Sequence, residues 1–134
     1  MESGSTNAER ARAAFEAFNR GDREGLLELF DPEVEFVDAP QSVEERERSG
    51  LDGIRRWFAS MDEVWEELRF EVEEMVELDD ERLIVVGRVQ GRGRGSGIWI
   101  DRPIATLYTL RNGRAVRFEA FGGKGEALTA AGEA

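Results

Sequence analysis

The sequence predicts an α+β domain in which three helices pack on one face of a curved, mostly antiparallel sheet. Apolar residues recur at helical spacing in the first half of the chain, apart from one short strand, and alternate with polar residues in the second half. The length of 134 residues is enough for one hydrophobic core and too short for two. Helices followed by consecutive strands are typical of the α+β class.

Two helices are predicted at the start of the chain. Thr6 and Glu9 have the spacing of a capping box at the first turn. Apolar residues then follow at helical spacing at Ala11, Ala14, Phe15 and Phe18. The segment "NRGD" ends this helix at Gly21, and its Asp22 caps a short second helix that "DP" at 31–32 would end.

One strand and one longer helix come next. "EVEFVDAP" alternates, which places Val34, Phe36 and Asp38 on one face of a strand. The highly charged residues 39–50 are interpreted as a loop. A helical stripe then comprises Ile54, Trp57, Phe58, Met61, Val64, Trp65 and Leu68.

The remaining chain predicts a four-strand meander with turns at 79–81, 95–97 and 111–113. Glu74 breaks the alternation of "FEVEEMVEL", and we expect a β-bulge that turns Glu74 outward and Met75 inward. The Gly- and Ala-rich end reads as loose. The predicted organisation is a flexible N-terminus over 1–6, a domain over 7–122 and a loose tail over 123–134.

The segment "GRVQGRGRGSG" resembles an RNA-binding or phosphate-cradling stretch when it is read alone. The formal net charge of −11 argues against a nucleic-acid partner, because such a surface repels phosphates. We interpret the segment as a strand whose even positions, including Arg88 and Gln90, share one face. Its odd positions are largely glycine, which in a strand marks sharp curvature or a close backbone approach.

Composition excludes several function classes. The chain has no Cys and no His, so it lacks disulfides, thiolate chemistry, the usual general base and the commonest metal ligand. We therefore expect no cofactor and no metal site. No apolar run approaches the ~20 residues of a membrane span, and the N-terminus lacks the apolar core of a signal peptide. A cytoplasmic protein without a membrane partner is expected.

Three segments resemble a known family. "ARAAFEAFNRGDREGLLELFDPEVEF", "GLDGIRRWFASM" and "LYTLRNGRAVRFEAF" are similar to the SnoaL-like polyketide cyclases of the nuclear transport factor 2-like superfamily. That superfamily also holds ketosteroid isomerase and limonene epoxide hydrolase. The resemblance covers roughly residues 7–122 and implies a cone-shaped α+β barrel with a pocket between the helices and the concave sheet. It does not decide the function, because this fold hosts isomerases, cyclases, hydrolases and proteins without chemistry.

The resemblance implies a set of pocket residues, with the even face of the third strand turned inward. The candidate ligand-binding residues are Phe15, Phe18, Phe36, Trp57, Met61, Arg88, Gln90, Thr106, Tyr108 and Phe118. Asp38 is the candidate catalytic residue, since it falls within one position of the catalytic base of ketosteroid isomerase. A carboxylate in an apolar cavity has a raised pKa and can exchange protons. The alternative is a solvated or capping Asp, and the aromatics on the helices could equally be plain core.

The catalytic sets of the two named enzymes are incomplete here. The isomerase's oxyanion-hole residues would fall at Ala14 and Thr106, so steroid isomerisation is not expected. The hydrolase's Arg and Asp would fall at Arg88 and Gln90, and its second Asp at Ala120. Both acids are therefore missing, although Arg88 could hold an anionic or carbonyl oxygen, or be a rim residue paired with a Glu.

Two functions are left open by the sequence. One is a SnoaL-like protein that binds a small hydrophobic molecule and performs acid–base chemistry on a carbonyl-containing substrate. The other is a non-catalytic ligand-binding or dimerisation module, or an engineered scaffold, of the same fold. A homodimer is expected through an apolar outer face of the sheet. The residues expected on this face are Val85, Gly87, Val89, Gly91, Trp99, Ala105, Leu107 and Thr109.

Overall fold

The computed structural model describes residues 6–37 and 50–133, and it describes only the backbone of Phe36, Val37 and Trp57. The helices are α1 (Asn7–Asn19), α2 (Arg23–Leu27), α3 (Gly50–Val64) and α4 (Lys124–Ala130). The strands are β1 (Phe30–Val37), β2 (Trp65–Glu77), β3 (Arg82–Gly93), β4 (Trp99–Arg111) and β5 (Arg114–Phe121). The sheet has the order β1-β5-β4-β3-β2, with β1 parallel to β5 and the other pairs antiparallel. The α+β prediction is confirmed, and the sheet is open rather than closed into a barrel.

The predicted helix starts are present. Glu9 N donates to Thr6 Oγ1 at 3.0 Å and Thr6 N donates to Glu9 Oε1 at 2.8 Å, which completes the capping box. Asp22 Oδ1 accepts from Gly25 N at 2.9 Å and caps α2. The second helix ends at Leu27 rather than at the predicted Asp31-Pro32, and Pro32 lies in β1. A proline is tolerated there because β1 is an edge strand and needs no ladder donor on its free side.

The main hydrophobic core lies between the first three helices and the inner, concave face of the sheet. Its buried members include Ala11, Ala14, Phe15, Phe18, Val34, Ile54, Phe58, Leu83, Val85, Tyr108, Leu110 and Phe118. Among the described helices, none is long and apolar enough to cross a membrane.

Strand β2 contains two residues that were predicted to belong to α3. The helix ends at Val64, and Trp65 and Leu68 lie in the strand. The register shifts between Trp65 and Glu67, so Trp65 and Leu68 come to the same face. A bulge therefore gives a strand the i, i+3 spacing of a helix. The guanidinium of Arg94 marks the helix end instead, donating to the carbonyl oxygens of Asp62 and Trp65 at 3.1 and 3.2 Å.

The bulge predicted at Glu74 is present. The register shifts between Val72 and Glu74, and both Val72 and Met75 pack against the inner core. Glu74 points to the outer face, where Lys124 Nζ lies 2.9 Å from its carboxylate.

The free edge of β2 is held by a side chain of α1. Asn19 Nδ2 donates to the carbonyl of Phe70 at 2.8 Å, and Phe70 N donates to Asn19 Oδ1 at 2.9 Å. The side-chain amide of Asn19 therefore satisfies both backbone hydrogen-bonding groups of Phe70 at this edge, as a neighbouring strand would.

The face assignment predicted for β3 is wrong. Every described β3–β4 pair joins an odd-numbered residue to an even-numbered one, for example Val85 to Thr106 and Val86 to Ala105. Because opposite partners share a face, the inward even positions of β4 meet the odd positions of β3. Val85, Gly87, Val89 and Gly91 are therefore inside, and Arg88 and Gln90 are outside.

Helix α4 contradicts two predictions, namely the loose tail over 123–134 and the apolar outer face of the sheet as a free dimer surface. It packs over the outer side of the sheet, and a second buried cluster comprises Ile84, Ala105, Leu107 and Ala127. Ala105 and Leu107 are therefore covered by this chain's own helix, while Trp99 stays 54% exposed near the far end of β4. The homodimer itself stays a prediction.

Candidate functional site

An open cavity of about 300 Å³ lies between the helices and the inner face of the sheet. Helices α1 to α3 and the first residue of β1 contribute Phe15, Leu26, Phe30, Ile54, Phe58 and Met61. The sheet contributes mainly Trp65, Leu68, Phe70, Val72, Val85, Val89, Ile100, Arg102, Ile104, Thr106, Tyr108 and Phe118. A concave, mostly apolar space with a few polar groups is the usual form of a small-molecule site.

The structure brings together six of the ten predicted ligand-binding residues. Those that line the cavity are Phe15, Met61, Arg88, Thr106, Tyr108 and Phe118. Phe18 is buried in the core behind this wall. Phe36 is paired in register with Phe118, but its side chain and that of Trp57 are not described. Asp38 lies outside the described residues, so its catalytic role stays a prediction.

The side-chain hydrogen bonds of Arg88 and Gln90 are made on the outer face, and of these two residues only Arg88 also lines the cavity. Arg88 borders the cavity, but its Nε donates to Asp101 Oδ1 at 2.5 Å on the outer face. Gln90 Nε2 lies 3.5 Å from the other carboxylate oxygen of Asp101. The hydrogen bond from Arg88 holds the pKa of Asp101 below its ordinary value, which fits a stable outer ion pair. Arg88 is thus the rim residue paired with an acid, the alternative that the sequence left open.

Two glycines of β3 allow β2 to approach closely. A Cβ atom on Gly87 would overlap the carbonyl oxygen of Glu71, and one on Gly91 would lie 3.3 Å from the ring of Trp65. The predicted close backbone approach at the glycines is confirmed. Arg92, which lies between the glycines of β3, forms ion pairs with Glu66 and Glu67 of β2 within the same chain.

One side of the cavity is aromatic. The rings of Tyr108 and Phe118 stack with centroids 5.6 Å apart, and Phe15 and Phe30 each lie 6.4 Å from Tyr108. The hydroxyls of Tyr108 and Thr106 are the polar groups of this region. Because both residues are even positions of β4, the two side chains are neighbours on the inner face.

Tyr108 is buried, and this desolvation raises its pKa to about 12, while a hydrogen bond with the Thr106 side chain lowers it by a smaller amount. At neutral pH the phenol group of Tyr108 is therefore protonated and can donate a hydrogen bond.

We expect stability to fall between pH 10 and 12 because of Tyr108. Its folded pKa is above the unfolded value of 10, so only the unfolded chain ionises in this window. The loss in the free energy of unfolding is roughly 2–3 kcal/mol over two pH units. Tyr108 is the single tyrosine of the chain, so tyrosinate absorbance reports it alone. A native titration midpoint near 10 would contradict this, and Tyr108→Phe should remove that part of the pH dependence.

Arg102 is a cavity residue that the sequence analysis missed. It lies opposite Val89 and follows Ile104 and Thr106 along the inward positions of β4. Once Thr106 and Tyr108 were taken as inward, strict alternation along an unbulged strand would have indicated it. Arg102 is exposed at the open end of the cavity.

The described part of the cavity has little acid–base chemistry. None of its described lining residues is an Asp, and Glu71 is paired in register with Arg88, on the outer face. Among residues 6–37 and 50–133 there is no group of three or more Asp and Glu side chains that could hold a metal ion.

Comparison with known proteins gives a family and a fold. The sequence model of the SnoaL-like domain matches residues 11–118. No curated protein matches the chain by sequence.

Several solved structures share the fold over almost the whole chain. An NTF2-like protein of unknown function from Burkholderia pseudomallei is 24% identical with a TM-score of 0.78, covering 94% of this chain and 97% of that chain. TerC, co-crystallised with polyporic acid, is 25% identical with a TM-score of 0.74 and the same coverage. A putative SnoaL-like polyketide cyclase from Jannaschia sp. is 21% identical with a TM-score of 0.73, covering 100% and 99%.

Proposed function

The chain belongs to the family of SnoaL-like domains, and on that premise we propose that its cavity binds a small, largely apolar molecule that contains aromatic rings. The observation that carries this proposal is the open space of about 300 Å³ walled by Phe15, Phe30, Tyr108 and Phe118. Rings of a ligand would gain from apolar burial and from stacked or edge contacts with these side chains.

The polar groups at this wall favour a ligand with a carbonyl or hydroxyl oxygen. Tyr108 stays protonated at neutral pH and can donate a hydrogen bond, and Thr106 can donate or accept. TerC, which is 25% identical to this chain and was co-crystallised with polyporic acid, supports the proposal.

Binding without chemistry is favoured over catalysis by the described residues. Proton transfer to a substrate needs a positioned acid or base, and the described lining residues include no Asp on the inner face. The catalytic alternative depends on Asp38. Strand β1 ends at Val37, which is paired with Glu119 next to the cavity residue Ala120. Acid–base chemistry on a carbonyl-containing substrate is therefore retained as the second candidate function.

Filling the cavity should abolish binding. We expect the wild type to bind 2-naphthamide, a neutral two-ring probe, with a dissociation constant on the order of 0.1 mM. Ile104→Trp places an indole among the lining residues and should weaken binding at least about tenfold. Titration calorimetry measures both values.

Ile98→Trp is the matched control for this experiment. Ile98 is 64% exposed in the β3–β4 turn and does not line the cavity, so the same substitution should leave the affinity unchanged. Absence of binding to the wild type, or equal binding by Ile104→Trp, would overturn the proposed function.

A further inference from the structure

The mouth of the cavity carries a cation that has no partner within the described residues. Arg102 lies on the inner face between Ile100 and Ile104, two apolar lining residues. In the part of the chain that the structure describes, its guanidinium makes no ion pair and no side-chain hydrogen bond. Its five N–H donors are therefore open to a molecule that enters the cavity.

This state contrasts with that of three arginines on the outer face. Arg88 is paired with Asp101, Arg92 with Glu67, and Arg117 with Glu35 at 3.1 Å. The inward neighbours of Arg102 along β4, Ile100 and Ile104, and its partner Val89 are apolar, and no described carboxylate pairs with its guanidinium.

The surroundings of Arg102 define the ligand that would fit. A guanidinium presents two parallel N–H groups that match the two oxygens of a carboxylate. The net charge of −11 opposes the approach of a dianion such as phosphate more strongly than that of a monoanion. Along β4, Arg102 and Thr106 are four residues apart, or about 13 Å at ~3.3 Å per residue. Apolar side chains fill the space between these two polar positions.

We propose that Arg102 makes the cavity selective for aromatic carboxylates, with the carboxylate held at the mouth and the rings packed inside. This inference rests on the proposed function, and it adds the ligand class and the residue that selects it. Arg102 acts in recognition and takes no part in bond making.

The test compares two probes of nearly the same shape. Calorimetric titrations with 2-naphthoate and 2-naphthamide separate the charge of the ligand from its ring system. The wild type should bind the carboxylate roughly five- to tenfold more tightly than the amide, because the ion pair is solvent-exposed and therefore modest. Arg102→Met should remove this preference and leave the amide affinity unchanged. Arg102→Lys should keep part of this preference, since lysine retains the positive charge but cannot form the bidentate hydrogen bonds of a guanidinium.

Arg117→Met is the control, because it removes the same charge from the outer face of the sheet, where Arg117 pairs with Glu35 and does not line the cavity. It should keep the carboxylate preference of the wild type. Equal preference in wild type and Arg102→Met, or loss of preference in Arg117→Met alone, would overturn the role of Arg102 while the cavity still binds both probes. Failure of both probes to bind the wild type would overturn the proposed function and this inference together.

Discussion

Replacing Leu107 with Glu is expected to unfold much of the protein, lowering the free energy of unfolding by about 4 kcal/mol. Leu107 is 7% exposed, lies opposite Ile84 and packs in the cluster that α4 covers. The change removes apolar burial and forces a carboxylate into a site without a described cationic partner. Urea denaturation at neutral pH measures the loss.

Thr109→Glu is the control for this prediction. Thr109 lies two positions further along the same face of β4, opposite Arg82 and Arg117. A carboxylate there meets two cations in partial solvent, so the free energy of unfolding should change by less than about 0.5 kcal/mol. A Leu107→Glu variant that is as stable as the wild type and differs only in particle mass would instead support the predicted dimer face.

Replacing Gly87 with Ala is expected to cost about 3 kcal/mol or more, an unusually large effect for one methyl group. The new Cβ would overlap the carbonyl oxygen of Glu71 and lie 3.2 Å from the Cα of Val72. Both neighbours are backbone atoms, so relief requires β2 to move away from β3 at the cavity wall. Thermal unfolding should show a markedly lower midpoint.

Gly125→Ala is the matched control. Gly125 lies within α4, and a Cβ there would meet nothing within 4 Å. Alanine favours a helix, so this variant should be more stable by up to about 1 kcal/mol. Similar effects of the two substitutions would contradict the close approach at Gly87.

The elements with local signals were predictable from the sequence. Thr6 and Glu9 mark the start of α1, and Asn112 and Gly113 form the β4–β5 turn with φ values of 55° and 80°. The end of α3 was not predictable in this way. Trp65 and Leu68 continue the helical spacing of α3, and only their pairing with β3 reveals a bulged strand. Helix α4 was missed because a Gly- and Ala-rich composition does not show that Ala127 will be buried against the sheet.

The candidate site was predictable where a single strand decides it, and not where two strands must agree. Thr106 and Tyr108 were placed correctly by alternation along β4. Arg88 was placed wrongly because the register between β3 and β4 depends on the length of the turn between them. That register puts Val85 opposite Thr106 and so exchanges the two faces of β3. Arg102 did not depend on this register, because alternation along β4 from Thr106 already turns it inward.

The glycines of β3 also bear on how a pocket of this kind can diversify over generations. Neither Gly87 nor Gly91 can acquire a side chain without a shift of the neighbouring strand, so substitutions there should be strongly destabilising and selected against. Ile100 and Ile104 face the same space from β4 and carry no such backbone constraint. Related proteins that adopt new ligands should therefore differ at the β4 positions and keep the β3 glycines. The part of the cavity wall that carries side chains can then change, while the glycine part stays the same.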